Sequence, residues 1–337
     1  MSTMAAWEGW EGWEGWEGWE GWRHARDASD PAADRGGSTD WMGRQRSRDF
    51  LVFGAPITPT APLRRWPGEP LAGLSAYARR QVVVMDMLHG YTVKRVAASG
   101  SVAAGVPPAV VVRRARLIGR ARRPGPAPAD CLLVAPQTSQ FFSELAAIEG
   151  MNRLRPERAP EIFQQLSFNP GFWSGILPLS PGRTRYTLEL MSAVVMFSSF
   201  IVQQTKLQFN LPRPCELSPR IQPMVDTPAF STYPSGHATQ GALVSALLDR
   251  LVSPSLPADW VVEVQDMLRQ LGDRIGENRE VAGLHFPVDS IAGRMLARCL
   301  LDQLVTPADA RTGAPAKPCL NDHFKWLWDR AAAEWAA

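Results

Sequence analysis

Apolar and polar residues alternate with a helical rhythm through most of the chain beyond Gln140. "QFFSELAAIEGMNRL" sets apolar Phe142, Leu145, Ala146 and Ile148 on one stripe, "TLELMSAVVMFSSFIVQQTKLQF" is apolar nearly all round, and "ATQGALVSALLDRLV" aligns Leu243, Leu247, Leu248 and Leu251. "WVVEVQDMLRQLGDRIGENREVA" repeats apolar residues at Val264, Leu268, Leu271 and Ile275, and "PVDSIAGRMLARCLLDQLV" closes the series. Helices joined by short links predict an all-α fold, a helical bundle. After a Pro/Gly-rich link, "NDHFKWLWDRAAAEW" has Phe324, Leu327, Trp328, Ala331 and Trp335 at helical spacing and is expected to dock as a last helix.

The remainder behaves differently. Residues 7–22 repeat Trp-Glu-Gly with a period of three, which fits neither a helix nor a strand, so they predict a disordered N-terminal tail that polar residues extend to 48. Between 49 and 130 the signals are mixed: "LSAYARRQVVVMDMLHGYTV" suits a helix or a strand, and a β-branched run precedes Arg113, Arg114, Arg116, Arg120, Arg122 and Arg123. The expected organisation is therefore a tail and linker over 1–48, an N-terminal region over 49–130, a helical bundle over 131–305, and a linker with docking helix over 306–337.

Composition narrows the functions. With 337 residues and 45% hydrophobic content the chain can bury a sizeable core. Five Glu of the tail set aside, the remainder carries +8 against +3 for the whole, which favours an anionic partner. The Arg cluster lacks interleaved aromatic residues, so no nucleic acid is expected. Cys131, Cys215, Cys299 and Cys319 show no paired spacing and read as reduced, buried thiols. The nearest approach to a membrane span, Leu190 to Val202, is 13 residues long, so no transmembrane segment is expected. With no leader recognised, the default location is cytoplasmic. Oligomeric state is not legible.

Three clusters carry chemistry, each at a helix end. In "KLQFNLPRP", Lys206 and Arg213 lie seven apart, about two turns, with Pro212 and Pro214 ending the helix near Asn210. In "YPSGHATQG", Ser235 is an N-cap, Gly236 lets a ligand approach the backbone, and His237 begins a helix whose exposed N–H groups and dipole suit an anion. In "NREVAGLHFPVDS", Pro287 suits a first helical turn, so His285 stands at its entrance with Asp289 close enough to fix its tautomer. Two His, one Asp, one Lys and two Arg form the inventory of a tetrahedral oxyanion pocket.

The ordered pattern Lys-x6-Arg-Pro, Pro-Ser-Gly-His, Arg-x5-His-x3-Asp, from Lys206 to Asp289, resembles the type 2 phosphatidic acid phosphatase and vanadium haloperoxidase superfamily. "GLHFPVDS" is most similar to its soluble bacterial acid phosphatases. The resemblance implies that His285 attacks phosphorus to form a phosphohistidine, that His237 protonates the leaving alkoxide, and that Asp289 orients His285. Lys206, Arg213, Ser235, Gly236 and Arg279 are then the phosphate-binding residues. It implies a small phosphate ester as substrate and no metal or other cofactor. Asn278 departs from the Ser usual before this Arg, and its amide is expected to hydrogen-bond the anion instead. The alternative is a haloperoxidase with vanadate on His285 and Phe230 in a halide pocket, although Gln203 stands where some of those enzymes carry an aromatic residue. A non-catalytic binding module, recruiting a partner through the tail or the Arg cluster, is the third reading.

Overall fold

The computed structural model describes residues 71–96, 108–114, 130–307, 316–319 and 322–336. The Trp-Glu-Gly tail, its linker to 48, Arg116, Arg120, Arg122, Arg123 and most of the 306–318 link lie outside the described residues.

The centre is a helix apolar on nearly every side, α4 (Arg185–Phe209), and it is buried accordingly along most of its length. Against it packs α5 (Gly236–Val252), which on its other sides carries α6 (Ala258–Val281) and α7 (Pro287–Leu304). Ahead of it run α1 (Ala76–Leu88), α2 (Thr138–Met151) and α3 (Arg155–Gln164), and α8 (Asp322–Ala333) ends the series. The leucine stripe of α5 is buried as its spacing predicts. On α2 the buried residues are Phe141 and Ile148, while Phe142 points outward, because Phe141 stacks on Phe286 with ring centroids 4.6 Å apart.

Glycine sets how closely the helices meet. A Cβ at Gly293 of α7 would lie 2.7 Å from the Ser235 carbonyl oxygen, so α7 reaches the start of α5 only without a side chain there. Gly241 and Gly272 do the same where α5 crosses α6: a Cβ on either would press on the other's carbonyl oxygen, at 3.1 and 3.0 Å.

The mixed region forms α1 and a three-stranded antiparallel sheet in the order β1 (Tyr91–Val96), β2 (Ala109–Arg114), β3 (Cys131–Val134). The bundle therefore carries a small sheet on one flank. Val110 and Val112 of β2 face the core, the period-2 pattern of a half-buried strand. Arg79 of α1 makes a two-pronged, buried ion pair with Glu189 of α4, with Nε–Oε2 2.7 Å and Nη2–Oε1 2.6 Å. At the start of α4, Glu334 accepts from the backbone N–H groups of Tyr186 and Thr187, so the C-terminal segment caps the central helix.

Two expectations are corrected. Cys131 and Cys299 form a disulfide joining β3 to α7 across 168 residues, and Cys215 and Cys319 are free. Spacing could not reveal a pair made by tertiary contact. The expected absence of a membrane-length segment is overturned as well: the helical stretch Arg185–Leu217 is long and apolar enough to cross a bilayer by length and composition, with 72% of its apolar window buried inside the protein. A count of consecutive apolar residues stops early, whereas a helix accommodates interspersed Ser and Thr. The cytoplasmic default, which relied on that absence, loses its support.

Candidate active site

The site lies where α4 ends and α5 and α7 begin, against the C-terminal turn of α6. Helix α4 stops because Asn210 takes a left-handed conformation (φ 50°, ψ 54°) and Leu211-Pro212 follows. This leaves Lys206 on the last turn and Arg213 in the extended segment beyond. Both are about 1% exposed. Lys206 Nζ donates to the Ser231 carbonyl at 2.8 Å, while Arg213 donates to the carbonyls of Phe230 (3.1 Å) and Leu284 (3.2 Å). Phe230 lies beneath both: its ring centroid is 4.6 Å from Lys206 Nζ and 5.2 Å from Arg213 Cζ. The two-turn spacing thus brings both cations to one aromatic ring, despite the broken helix.

Helix α5 begins at Gly236 with Ser235 as its N-cap, the side chain accepting from the Ala238 N–H. A Cβ at Gly236 would touch only Val202 Cγ1, at 3.8 Å, so the protein itself does not demand glycine there. The space before it is a small cavity lined by Lys206, Gly236, His237, Gln203 and Gln240. His237 Nε2 donates to the Gln165 carbonyl oxygen at 2.8 Å, an oxygen that can only accept. His237 also lines a neighbouring cavity walled by Phe168, Phe172 and Trp173.

Arg279, on the last turn of α6, is fully buried and donates to the Ile162 carbonyl (2.9 Å) and to Gln165 Oε1 (3.3 Å). The chain then turns through Gly283, at φ 77°, and enters α7 with Phe286 as N-cap and Pro287 at N1. His285 and Asp289 are fully buried, with His285 Nδ1 3.2 Å from Asp289 Oδ2. The same oxygen accepts from the Phe286 N–H at 2.9 Å and from the Thr232 hydroxyl, whose Oγ1 is 3.1 Å from His285 Nδ1. His285 Nε2 is buried and has no hydrogen-bond partner among the described residues.

Burial, followed by the positive charges of Lys206, Arg213, His237 and Arg279, holds the His285 imidazole well below its ordinary pKa. Burial pushes the Asp289 carboxyl up, opposed by the Thr232 and Phe286 hydrogen bonds and by the charges of Lys206 and Arg213. With Asp289 ionised, as its acceptance from the Phe286 N–H and the Thr232 hydroxyl suits, the neutral imidazole keeps its proton on Nδ1, facing Oδ2. Nε2 keeps its lone pair.

The structure brings together all eight residues expected to bind or transform a phosphate. It also adds two that the sequence reading missed, Thr232 and Gln165. Thr232 stands two residues before Pro234, but no spacing rule ties it to Asp289, 57 residues on. Asn278 is placed differently from expectation. Its Nδ2 donates to Glu161 and Gln165 (both 3.0 Å) and its Oδ1 accepts from Arg158 (3.0 Å), so the amide braces Gln165 rather than facing the anion. Among the described residues no group of three or more His, Cys, Asp or Glu could hold a metal ion.

Residues 188–304 match the PAP2 superfamily, a segment that contains every residue of the three motifs. The family suggests phosphatase activity on phosphate esters. One similar solved structure is the transmembrane PAP2-type phosphatidylglycerolphosphate phosphatase of Bacillus subtilis, at 18% identity and a TM-score of 0.29, covering 49% of this chain and 75% of that one. No curated protein sequence matches the chain.

Proposed function

We infer, from a segment that matches the PAP2 superfamily, that the protein is a phosphatase hydrolysing phosphate monoesters through a phosphohistidine on His285. The observation that carries this reading is the fully buried His285, with Nδ1 engaged by Asp289 and Thr232 and with Nε2, among cationic groups, lacking a hydrogen-bond partner among the described residues. Such an imidazole stays neutral and directs one lone pair at a bound phosphoryl group.

In the first step His285 Nε2 forms a bond to phosphorus as the bond to the ester oxygen breaks. His237 gives a proton to the departing alkoxide; since its Nε2–H is committed to Gln165, the transferred proton is the one on Nδ1. In the second step water attacks phosphorus, His237 takes a proton from it, and the nitrogen–phosphorus bond breaks to release inorganic phosphate. Lys206, Arg213 and Arg279, with Ser235 and the Gly236 N–H at the start of α5, stabilise the charge on the three equatorial oxygens. Phe230 serves this group by seating Lys206 and Arg213 on its ring, a different task from lining a halide pocket. The residues named suffice for both steps.

Quenching the full chain in alkaline detergent during turnover of ³²P-labelled phenyl phosphate tests the reading. Wild type is expected to retain label that is stable to alkali and lost in acid, more of it in His237→Ala, and His285→Ala none. Label retained in His285→Ala sinks the assignment. A wild type that hydrolyses no phosphomonoester, yet brominates a dye when given vanadate, peroxide and bromide, replaces it with the haloperoxidase reading.

A further inference from the structure

We propose, resting on the phosphatase reading above, that Gln165 is a substrate-contacting residue: its Oε1 orients Arg279 while its Nε2 donates to the ester oxygen on the leaving-alcohol side. Gln165 follows the last turn of α3, far in sequence from the three motifs, and is only 4% exposed.

The orientation of its carboxamide is determined by its neighbours. A guanidinium has donors only, so the Gln165 atom facing Arg279 Nη2 is the oxygen. Asn278 agrees: its Oδ1 accepts from Arg158, which turns its Nδ2 towards the same Gln165 Oε1. The other end of the carboxamide, Nε2, is consequently directed away from both. It is buried and has no hydrogen-bond partner among the described residues. A buried N–H₂ without an acceptor is unfavourable, and an oxygen arriving with a ligand relieves it.

The surroundings indicate which oxygen. Gln165 lines the aromatic-walled cavity together with His237 and Gln240. Its main-chain oxygen holds His237 Nε2, the acid of the reading above, while its side chain holds Arg279. One residue therefore spans the gap between a phosphoryl-binding cation and the proton donor, where the bridging ester oxygen must lie. As the phosphorus–oxygen bond breaks, charge builds on that oxygen and the Nε2–H···O bond strengthens until the His237 proton arrives. Gln165 gives up no proton and forms no covalent bond.

Gln165→Met and Gln165→Glu in the full chain test this. Thermal unfolding checks folding, orthovanadate binding is read by calorimetry, and kcat/KM on phenyl phosphate is followed from acid to neutral pH. Gln165→Met, which can neither accept nor donate, is expected to lose about 10²-fold in kcat/KM, the scale for one donor to developing charge. Its vanadate affinity should drop about tenfold, because vanadate presents an apical oxygen where the ester oxygen lies. Gln165→Glu accepts from Arg279 when ionised but donates only when protonated, so its activity relative to wild type should climb as pH falls. A purely structural role would leave that ratio flat.

A flat ratio, or wild-type kcat/KM and vanadate affinity in Gln165→Met, overturns the proposal. If Gln165→Met does not fold, the pH ratio of Gln165→Glu decides. If wild type turns over no ester, the phosphatase reading fails by itself, and the vanadate affinities of wild type and the folded variants still decide whether Gln165 contacts the anion.

Discussion

The two sides of the anion pocket are built differently. On one side His285 is sealed between the end of α6 and the start of α7, fully buried and held by Asp289 and Thr232, while the neighbouring α7–α5 contact is so tight that Gly293 has no room for a methyl group. On the other, His237 is 7% exposed on the first turn of α5 and borders a cavity with aromatic walls. In the proposed reaction the attacking side meets the same phosphoryl group in every ester, so rigid placement suits it. In that reaction the departing side meets whatever alcohol the ester carries, and a site that is not fully sealed suits it.

The sharpest way to break this contrast is Asp289→Asn. An amide in place of the carboxylate can turn its N–H₂ towards His285 Nδ1 and move the lone pair off Nε2, so kcat/KM should fall by about 10³- to 10⁴-fold with the fold intact. A loss below tenfold would mean that Asp289 does not set the tautomer.

Next in size is His237→Ala, whose effect should depend on the alcohol. A general acid contributes roughly 10²- to 10⁴-fold, so turnover of an alkyl phosphate should drop into that range. A nitrophenyl phosphate, whose phenolate leaves without a proton, should lose far less. Equal losses on both esters would remove His237 from the leaving-group side.

Acidity sharpens the comparison further. Burial, then the surrounding cations, keep His285 neutral well below its ordinary pKa of 6.5, so kcat/KM should show no limb from His285 ionisation near that pH. The linked effect on stability has a definite sign. Below 6.5 the unfolded imidazole takes up a proton that the folded one refuses, so this group's contribution is lost as pH falls. A bell whose acid limb sits at 6.5 and disappears in His285→Ala variants rescued with free imidazole would contradict the sealed environment.

The smallest effect lies one residue beyond Arg279. Glu280 faces the outer side of α6 near Arg294, and burial lifts its carboxyl to about 7, partly offset by the Ser290 hydroxyl and the Arg294 charge. Below 4.5 both states are protonated. Between 4.5 and about 7 the unfolded chain releases the proton first, so stability declines as pH rises, reaching its full cost above 7. Glu280→Gln should therefore raise Tm by a few degrees at pH 8 and leave it unchanged at pH 4, an effect of order 1–3 kcal/mol. The same gain at both pH values would mean that charge burial is not the cause.

What was legible beforehand was local. Ser235 as N-cap, Pro287 at the first turn of α7 and the end of α4 at Asn210 follow from backbone chemistry within a few residues, and the structure has all three. The spacing of His285 and Asp289 worked for the same reason: four residues at a helix entrance can meet in few ways. The region before residue 130 read ambiguously because β2 owes its strand to pairing with β1 and β3, and "AVVVRR" does not name its partners. The role of Asn278 was misjudged because the three groups that occupy its amide, Glu161, Gln165 and Arg158, come from a distant helix and the residue after it.

By itself the sequence determined where helices start and stop and which cations, histidines and carboxylate stand at those ends, the residues of the oxyanion pocket we propose. Caps, proline and periodicity act over one or two turns, and that range is written in neighbouring residues. Tertiary structure alone decided that Cys131 meets Cys299, that Thr232 closes the triangle with His285 and Asp289, and that Gln165 bridges Arg279 and His237. Each joins positions dozens of residues apart, and only the packing of α3, α5, α6 and α7 into one core brings those atoms within hydrogen-bond or covalent reach.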